Sequence, residues 1–520
     1  MKFGKLLALV LAVMLLCGCA SADTVPVTRY RDMVYERPDI RDVETALDQV
    51  CQLAPGEDTD AILEAVYAFY DAYDWFYTNY SLADIGYSGD LTDIYWEAEY
   101  GYCLENSAAV DAALDEVYYA LADSPVREEL ETEYFGADFF DAYEGESYWD
   151  ETYEDLMMRQ AQLQSEYYTL SEQGLEYEEY DAYYDACADE MADLLARLIE
   201  VRQELAAYWG YDSYPQLAGE LYYARDYTQA QVEGYLQEIR QELVPLYREA
   251  AQSKAWDLAA KPGTERENLA YVKETAREMG GVIWDSFQLL EKAELYDIEY
   301  RENKYNSSFE TYLTWYWEPF IFMKPTMTVY DRLMLAHEFG HFCHDNVCYG
   351  SYAGLDVLEF FSQGMEYLSL CYGDGREELT RVKMADSLSI YVEQAAFACF
   401  EQRMYDLEDP TAEALYRLYE EVALEFGLDA WDYDRREFVD ITHYYTNPMY
   451  IISYVISNDA AMQLYELEQR ERGAGLRCYE ENLTTQESFF LTFLEAAGLE
   501  SPLTPGRVRE VRETFEGIFH

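Results

Sequence analysis

Leu333-Met334-Leu335-Ala336-His337-Glu338-Phe339-Gly340-His341-Phe342-Cys343-His344 is the stretch from which the rest of the 520-residue chain can be read. On a helix, residues four apart share a face, so His337 and His341 project side by side at a separation that suits one shared ion. Zn²⁺ prefers neutral imidazole nitrogens completed by a carboxylate, with a fourth position left to water. Glu338, next to the first imidazole, reaches that water rather than the metal. A metal brings the pKa of such a water to roughly 7, and a neighbouring carboxylate can take its proton and later return it to a leaving group. The chain has five histidines, and three of them fall within this stretch. With histidine so rare, a chance HExxH falls below about one in a hundred, which favours a site over two histidines merely satisfied inside a helix. Gly340 weakens the helix relative to Ala and so implies close packing or room for the site.

Two imidazoles leave a zinc ion short of a third protein ligand. Leu355 to Leu370 reads as a buried helix containing Glu359 and Glu366, seven apart and therefore nearly on one face. Either carboxylate could reach the metal while the other supports a histidine from behind. Periodicity does not choose between them.

Outward from these helices the pattern is helical almost everywhere. Ile62, Val66, Phe69 and Tyr73 recur at three- and four-residue steps, as do Met191, Leu194, Leu195 and Leu198. Lys261-Pro262-Gly263 is a turn, and the texture changes after it. Leu295 to Lys324 is the one β-rich patch, with Pro319-Phe320-Ile321-Phe322-Met323 reading as a short strand. Helical periodicity returns by Asp331. The expected architecture is mostly α, with one small sheet beside the chemistry.

The first residues, MKFGKLLALVLAVMLLCGCAS, carry Lys2 and Lys5 before an apolar run from Leu6 to Leu16. That run is too short for a comfortable membrane span and fits a signal-peptide core. Leu16-Cys17-Gly18-Cys19 resembles a bacterial lipoprotein signal. Residues 1–18 are then a leader, Cys19 the lipidated first mature residue, and 19–38 a tether; the alternative is a plain secreted protein. The protein is expected outside the cytoplasm, at the outer face of the cytoplasmic membrane, touching it only through a lipid anchor. The remaining cysteines are scattered, with no CxxC pair to compete for the metal. Asp and Glu number 103 against 36 Lys and Arg, a formal charge of −67. Such a chain repels phosphate backbones, which excludes nucleic acid as a partner. The 53 tyrosines give ample ring area to bury, with hydroxyls left at the wet edges of helices.

The sequence resembles the thimet oligopeptidase and oligoendopeptidase F family of zinc metallopeptidases. His337 to His344 matches its HEFGHxxH signature, with His344 as the third histidine. Val357-Leu358-Glu359-Phe360-Phe361-Ser362-Gln363 matches its E-x-x-S-Q element, which implies Glu359 as third ligand and Glu366 as support. Glu318 to Met323 is similar to the strand that precedes the signature and lines the cleft, where substrate backbone can pair with an edge. Thr442-His443-Tyr444-Tyr445-Thr446-Asn447-Pro448-Met449-Tyr450-Ile451-Ile452-Ser453-Tyr454 resembles the downstream histidine and tyrosines that stabilise an oxyanion, implying roles for His443, Tyr454 and Tyr450. The glycine-rich loop of the thimet branch is missing.

The resemblance implies a two-lobed helical body with a deep central channel that admits short peptides. It places a helical region at 39–205 and the catalytic region at 206–520. It implies an oligoendopeptidase with one zinc per chain. Two alternatives stand beside it: a related zinc carboxypeptidase or dipeptidyl carboxypeptidase, and an inactive peptide-binding lipoprotein.

Overall fold

A computed structural model describes residues 27–143, 151–174, 180–250, 255–373, 375–430 and 433–519, so the leader and Cys19 lie outside the described residues. The chain divides into two compact units. The first comprises Met1–Ser147, Lys261–Tyr352 and Glu480–Gln486; the second comprises Tyr148–Ala260, Ala353–Tyr479 and Glu487–His520. The helices include α1 (Ile40–Leu53), α2 (Thr59–Gly89), α3 (Ile94–Ala122), α4 (Tyr180–Trp209), α5 (Asp331–Cys348), α6 (Leu355–Ser369), α7 (Ala395–Met404) and α8 (Ile452–Arg470). Three strands, β1 (Tyr296–Asp297), β2 (Ser308–Leu313) and β3 (Glu318–Met323), form a single sheet. The protein is mostly α with a small sheet, as its periodicities imply. Among the described residues, no helix is long and apolar enough to cross a membrane.

In the first unit α1, α2 and α3 each begin on an aspartate whose side chain accepts a backbone N–H: Asp39 from Arg41, Asp58 from Ala61 and Asp93 from Tyr95. An acidic N-cap satisfies an otherwise orphaned donor and meets the positive end of the helix dipole. Ile62, Val66 and Phe69 are buried in one core with Val43, Val50, Val110, Leu114 and Val117. The tyrosines bury their rings, but not all of their hydroxyls stay at a wet edge. Tyr70 and Tyr118 share a buried hydroxyl–hydroxyl bond of 3.0 Å, and the hydroxyls of Tyr73 and Tyr77 both donate to Asp111.

The sheet order is β1-β3-β2, with β1 parallel and β2 antiparallel to β3, in register at Phe309 opposite Phe322 and Leu313 opposite Glu318. All six residues of β3 are buried. The strand expected at 319–323 is therefore present, but it is the central one and is paired on both sides. The sheet's edges belong to β1 and β2, which have taken the hydrogen-bonding positions that a lone strand would have offered. Lys304, fully buried, holds the loop beside the sheet. Its Nζ donates to the backbone oxygens of Asp297, Glu299 and Met323 at 2.8, 3.2 and 2.7 Å and to Asp297 Oδ1 at 3.0 Å.

In the second unit α4 buries Met191, Leu194, Leu195 and Leu198, the residues its three- and four-residue steps mark. Helices α6 and α8 pack along each other, and at Gly364 there is no room for a side chain. A Cβ there would lie 2.8 Å from Leu464 Cδ1 and 3.3 Å from the Tyr479 ring.

Candidate active site

In the first unit, the helix carrying the HExxH residues is fixed at its start by Asp331. This buried carboxylate accepts the backbone N–H of Thr326 at 2.9 Å and of Thr328 at 3.1 Å, so the loop after β3 is tied to the first residue of α5. Leu333, Leu335, Ala336, Phe339, Phe342 and Cys343 are buried and orient the helix. His337 and His341 are then left half-buried, one turn apart, with ring centroids 5.1 Å apart and planes at 78°. Glu338 is buried. His344 is fully buried, and its Nε2 lies 3.0 Å from the backbone oxygen of Thr485.

Glu310 on β2, a residue the sequence did not single out, lies on the same side as α5. Burial, then the Asp345 carboxylate and Glu338, push its pKa well above the carboxylate range. Burial and these neighbours thus favour its protonated form over the charged one.

In the second unit, Glu359 is buried on α6 and held through both oxygens. Oε1 accepts the Tyr450 hydroxyl at 2.8 Å, and Oε2 accepts the Ser362 hydroxyl at 3.1 Å. The E-x-x-S spacing thus has a physical meaning: three residues on, the serine reaches back to orient the carboxylate. Each oxygen keeps a lone pair for a further partner. Glu366 meets the buried ammonium of Lys383 at 2.7 Å, which also contacts Asp386 at 3.2 Å.

His443, Tyr450 and Tyr454 cluster, with centroids 5.1 Å apart for His443–Tyr450 and Tyr450–Tyr454. The Tyr454 hydroxyl and His443 Nε2 lie 3.3 Å apart; which of them donates depends on the imidazole tautomer. Burial lowers the His443 pKa, only partly opposed by the charge of Glu359. A cation nearby would lower it further, so this imidazole is neutral at pH 7. Burial and then Glu359 push the Tyr450 phenol far above its usual value, so it keeps the proton that it donates to Glu359.

His337, His341 and Glu359 each offer one ligand atom within 4.8 Å of the others, and this group could hold a metal ion. The donor set fits zinc: two imidazole nitrogens and one carboxylate, the carboxylate oriented by hydrogen bonds from behind as ligating carboxylates are.

Residues 30–147 match the family described as the Peptidase M3 N-terminal domain. Three solved structures share the fold over nearly the whole chain, each covering 94% of this chain and 98% of its own. Two are assigned as oligoendopeptidase F, at 21% identity and TM-score 0.78 and, from Bacillus anthracis str. Ames, at 20% and 0.77. The third is PZ peptidase A with an inhibitor, at 19% and 0.79. No curated protein matches the sequence.

Proposed function

We propose that this chain, whose residues 30–147 match the Peptidase M3 N-terminal domain and whose fold is that of the oligoendopeptidase F structures, is a zinc-dependent oligoendopeptidase acting on short peptides. The observation that carries the reading is the His337, His341 and Glu359 donor set beside a buried Glu338. When bound, zinc supplies a Lewis acid for the scissile carbonyl and acidifies water. Glu338, adjacent to the first ligand, takes the proton of the attacking water and returns it to the leaving amine. Its burial keeps it out of bulk solvent, so its proton is exchanged with the reacting atoms. His443, neutral, and Tyr454 are the donors for the oxyanion that develops, a role worth about 2.7–4 kcal/mol per donor in comparable sites. Tyr450 and Ser362 hold the Glu359 carboxylate. The edge of β2 offers main-chain hydrogen bonds to an extended substrate. The protein works outside the cytoplasm, anchored by a lipid on Cys19.

The test uses the purified protein with an internally quenched ten-residue peptide blocked at both termini. Cleavage should be abolished by a chelator, restored by zinc, and reduced by about 10²–10⁴ in Glu338→Gln, which removes the base alone. Hydrolysis only of peptides with a free terminus would make the protein an exopeptidase. Cleavage of casein as fast as of the ten-residue peptide would remove the restriction to short substrates. Full activity in Glu338→Gln would remove the mechanism.

A further inference from the structure

The segment between Thr442 and Tyr454 carries three side chains of the site but little structure of its own. His443–Thr446 is one helical turn, and α8 begins only at Ile452. Met449 sits at φ +68°, in the left-handed region. A non-glycine residue held there gives up about 1–2 kcal/mol, so the stretch would relax unless something else held it.

What holds it comes from elsewhere in the second unit. Arg202 on α4 is fully buried, and its Nη1 and Nη2 donate to the backbone oxygens of Tyr444 and Tyr445, each at 2.6 Å. Arg225 Nη2 donates to the Met449 oxygen at 2.7 Å and to Ser453 Oγ at 2.9 Å. The Tyr223 hydroxyl donates to the Pro448 oxygen at 2.9 Å. Glu401 on α7, fully buried, accepts the Met449 N–H at 2.6 Å. The irregular backbone thus ends on two guanidiniums, a phenol and a carboxylate.

These groups are also coupled to one another and to the site. The Arg225 guanidinium lies 4.5 Å over the Tyr223 ring, and that ring meets Tyr450 edge-on at 6.4 Å. Arg225 Nε is 3.9 Å from Asp356, and both arginines feel the charge of Glu401. Stability alone does not call for such an arrangement. Burying ion pairs is expensive, and apolar replacements of the same volume are often neutral or stabilising. What buried, geometrically fixed hydrogen bonds do supply is a defined position for what they hold.

We propose that Arg202, Arg225, Tyr223 and Glu401 are positioning residues, a buried clamp on the backbone of Tyr444–Met449 that sets where His443, Tyr450 and Tyr454 present their polar atoms. The inference rests on the peptidase reading for its effect on rate, but its structural half stands alone. The clamp acts on the transition state, because groups held for a developing charge matter most when that charge forms.

The test compares the full-length zinc-loaded protein with Tyr223→Phe, which deletes one hydroxyl, and Arg225→Lys, which keeps the charge but loses the fork. Hydrogen exchange of the 444–450 amides is measured beside kcat, KM and thermal midpoint. In Tyr223→Phe, exchange of these amides should rise about tenfold while the rest of the second unit is unchanged. Its kcat should fall about three- to tenfold with KM within twofold, and Arg225→Lys should lose about a hundredfold in kcat. Unchanged exchange at 444–450 in Tyr223→Phe overturns the clamp, as does a loss of rate no larger than the loss of folded protein. Should Arg225→Lys not fold, Tyr223→Phe decides alone. A wild-type protein that hydrolyses no peptide defeats the peptidase reading, and the exchange measurement still decides the clamp.

Discussion

Tyr450→Phe removes one hydroxyl and nothing else. The ring would stay packed against His443 and Tyr454, each 5.1 Å away between centroids. What goes is the 2.8 Å donation to Glu359 Oε1. A hydrogen bond to a charged, buried acceptor contributes about 1.5–3 kcal/mol. Only part of that bears on the metal, because the Ser362 hydroxyl still holds the other oxygen at 3.1 Å. We therefore expect the zinc dissociation constant to rise about tenfold, or about 1.4 kcal/mol, within the usual range for outer-sphere partners of a ligand. At saturating zinc, kcat should fall by no more than about threefold, since His443 and Tyr454 remain as oxyanion donors. The assay is competition for zinc against a chromophoric chelator, followed by peptide hydrolysis with zinc in excess. A variant with unchanged zinc affinity and a kcat reduced by a hundredfold or more would refute the reasoning, because the hydroxyl would then be acting on the reacting carbonyl.

Two further outcomes concern stability. Lys304→Met should destabilise the protein by about 3 kcal/mol, because three backbone oxygens lose their shared ammonium donor at about 1 kcal/mol each; urea unfolding checks this, and a change below about 1 kcal/mol would show that the cage contributes nothing net. Glu318→Gln should raise stability at pH 8 and leave it nearly unchanged at pH 4. Burial pushes the Glu318 carboxyl up to about 7. The folded state therefore binds this proton more tightly than the unfolded state, and stability is lost as pH rises through the interval from the ordinary value to about 7. Glutamine keeps an acceptor for the Thr28 N–H, 3.0 Å from the Glu318 Oε1, without the charge. The gain at pH 8 should be about 1–2 kcal/mol, and thermal melts at the two pH values that show no difference would refute it.

Features written in local spacing were legible in the sequence. The four-residue step of His337 and His341, the apolar steps of α2 and α4, the run that became β3 and the return of helix at Asp331 all survive in the fold. β1 and β2 fall inside the β-rich patch read at Leu295 to Lys324, but their bounds as separate strands were not legible. β1 is two residues long, and β2 is half-buried along most of its length, so neither shows a period-two signature. They exist because β3 offers them partners. The choice between Glu359 and Glu366 was hidden for a related reason: seven-residue spacing gives both the same face, and what lies opposite each one is set by distant chain. Glu366 meets Lys383 and Glu359 meets Tyr450, pairings that no local pattern announces. Arg202 and Arg225 look like ordinary helix and loop cations in the sequence, and the backbone they hold lies more than 200 residues away.

The chain's few positive charges explain more about it than its many negative ones. Lys and Arg number 36 against 103 acidic residues, so a cation can find a surface carboxylate almost anywhere. Yet Arg202, Lys304, Lys383 and Arg507 are buried nearly completely, where desolvation is most expensive. Each is placed on interior backbone or carboxylate oxygens: Arg202 on Tyr444 and Tyr445, Lys304 on the loop at β1, Lys383 on Glu366, Arg507 on Asp459. Surface pairs in so acidic a shell would be worth little and would weaken in salt, since exposed charges are screened beyond about 8–10 Å. Inside, the same cations are beyond screening and keep their full directional effect. The excess of carboxylates thus leaves the outer surface to mutual repulsion while the interior is fixed by a handful of cations, and two of those, Arg202 and Lys383, bond to the segment that carries His443 and to the helix that carries Glu359.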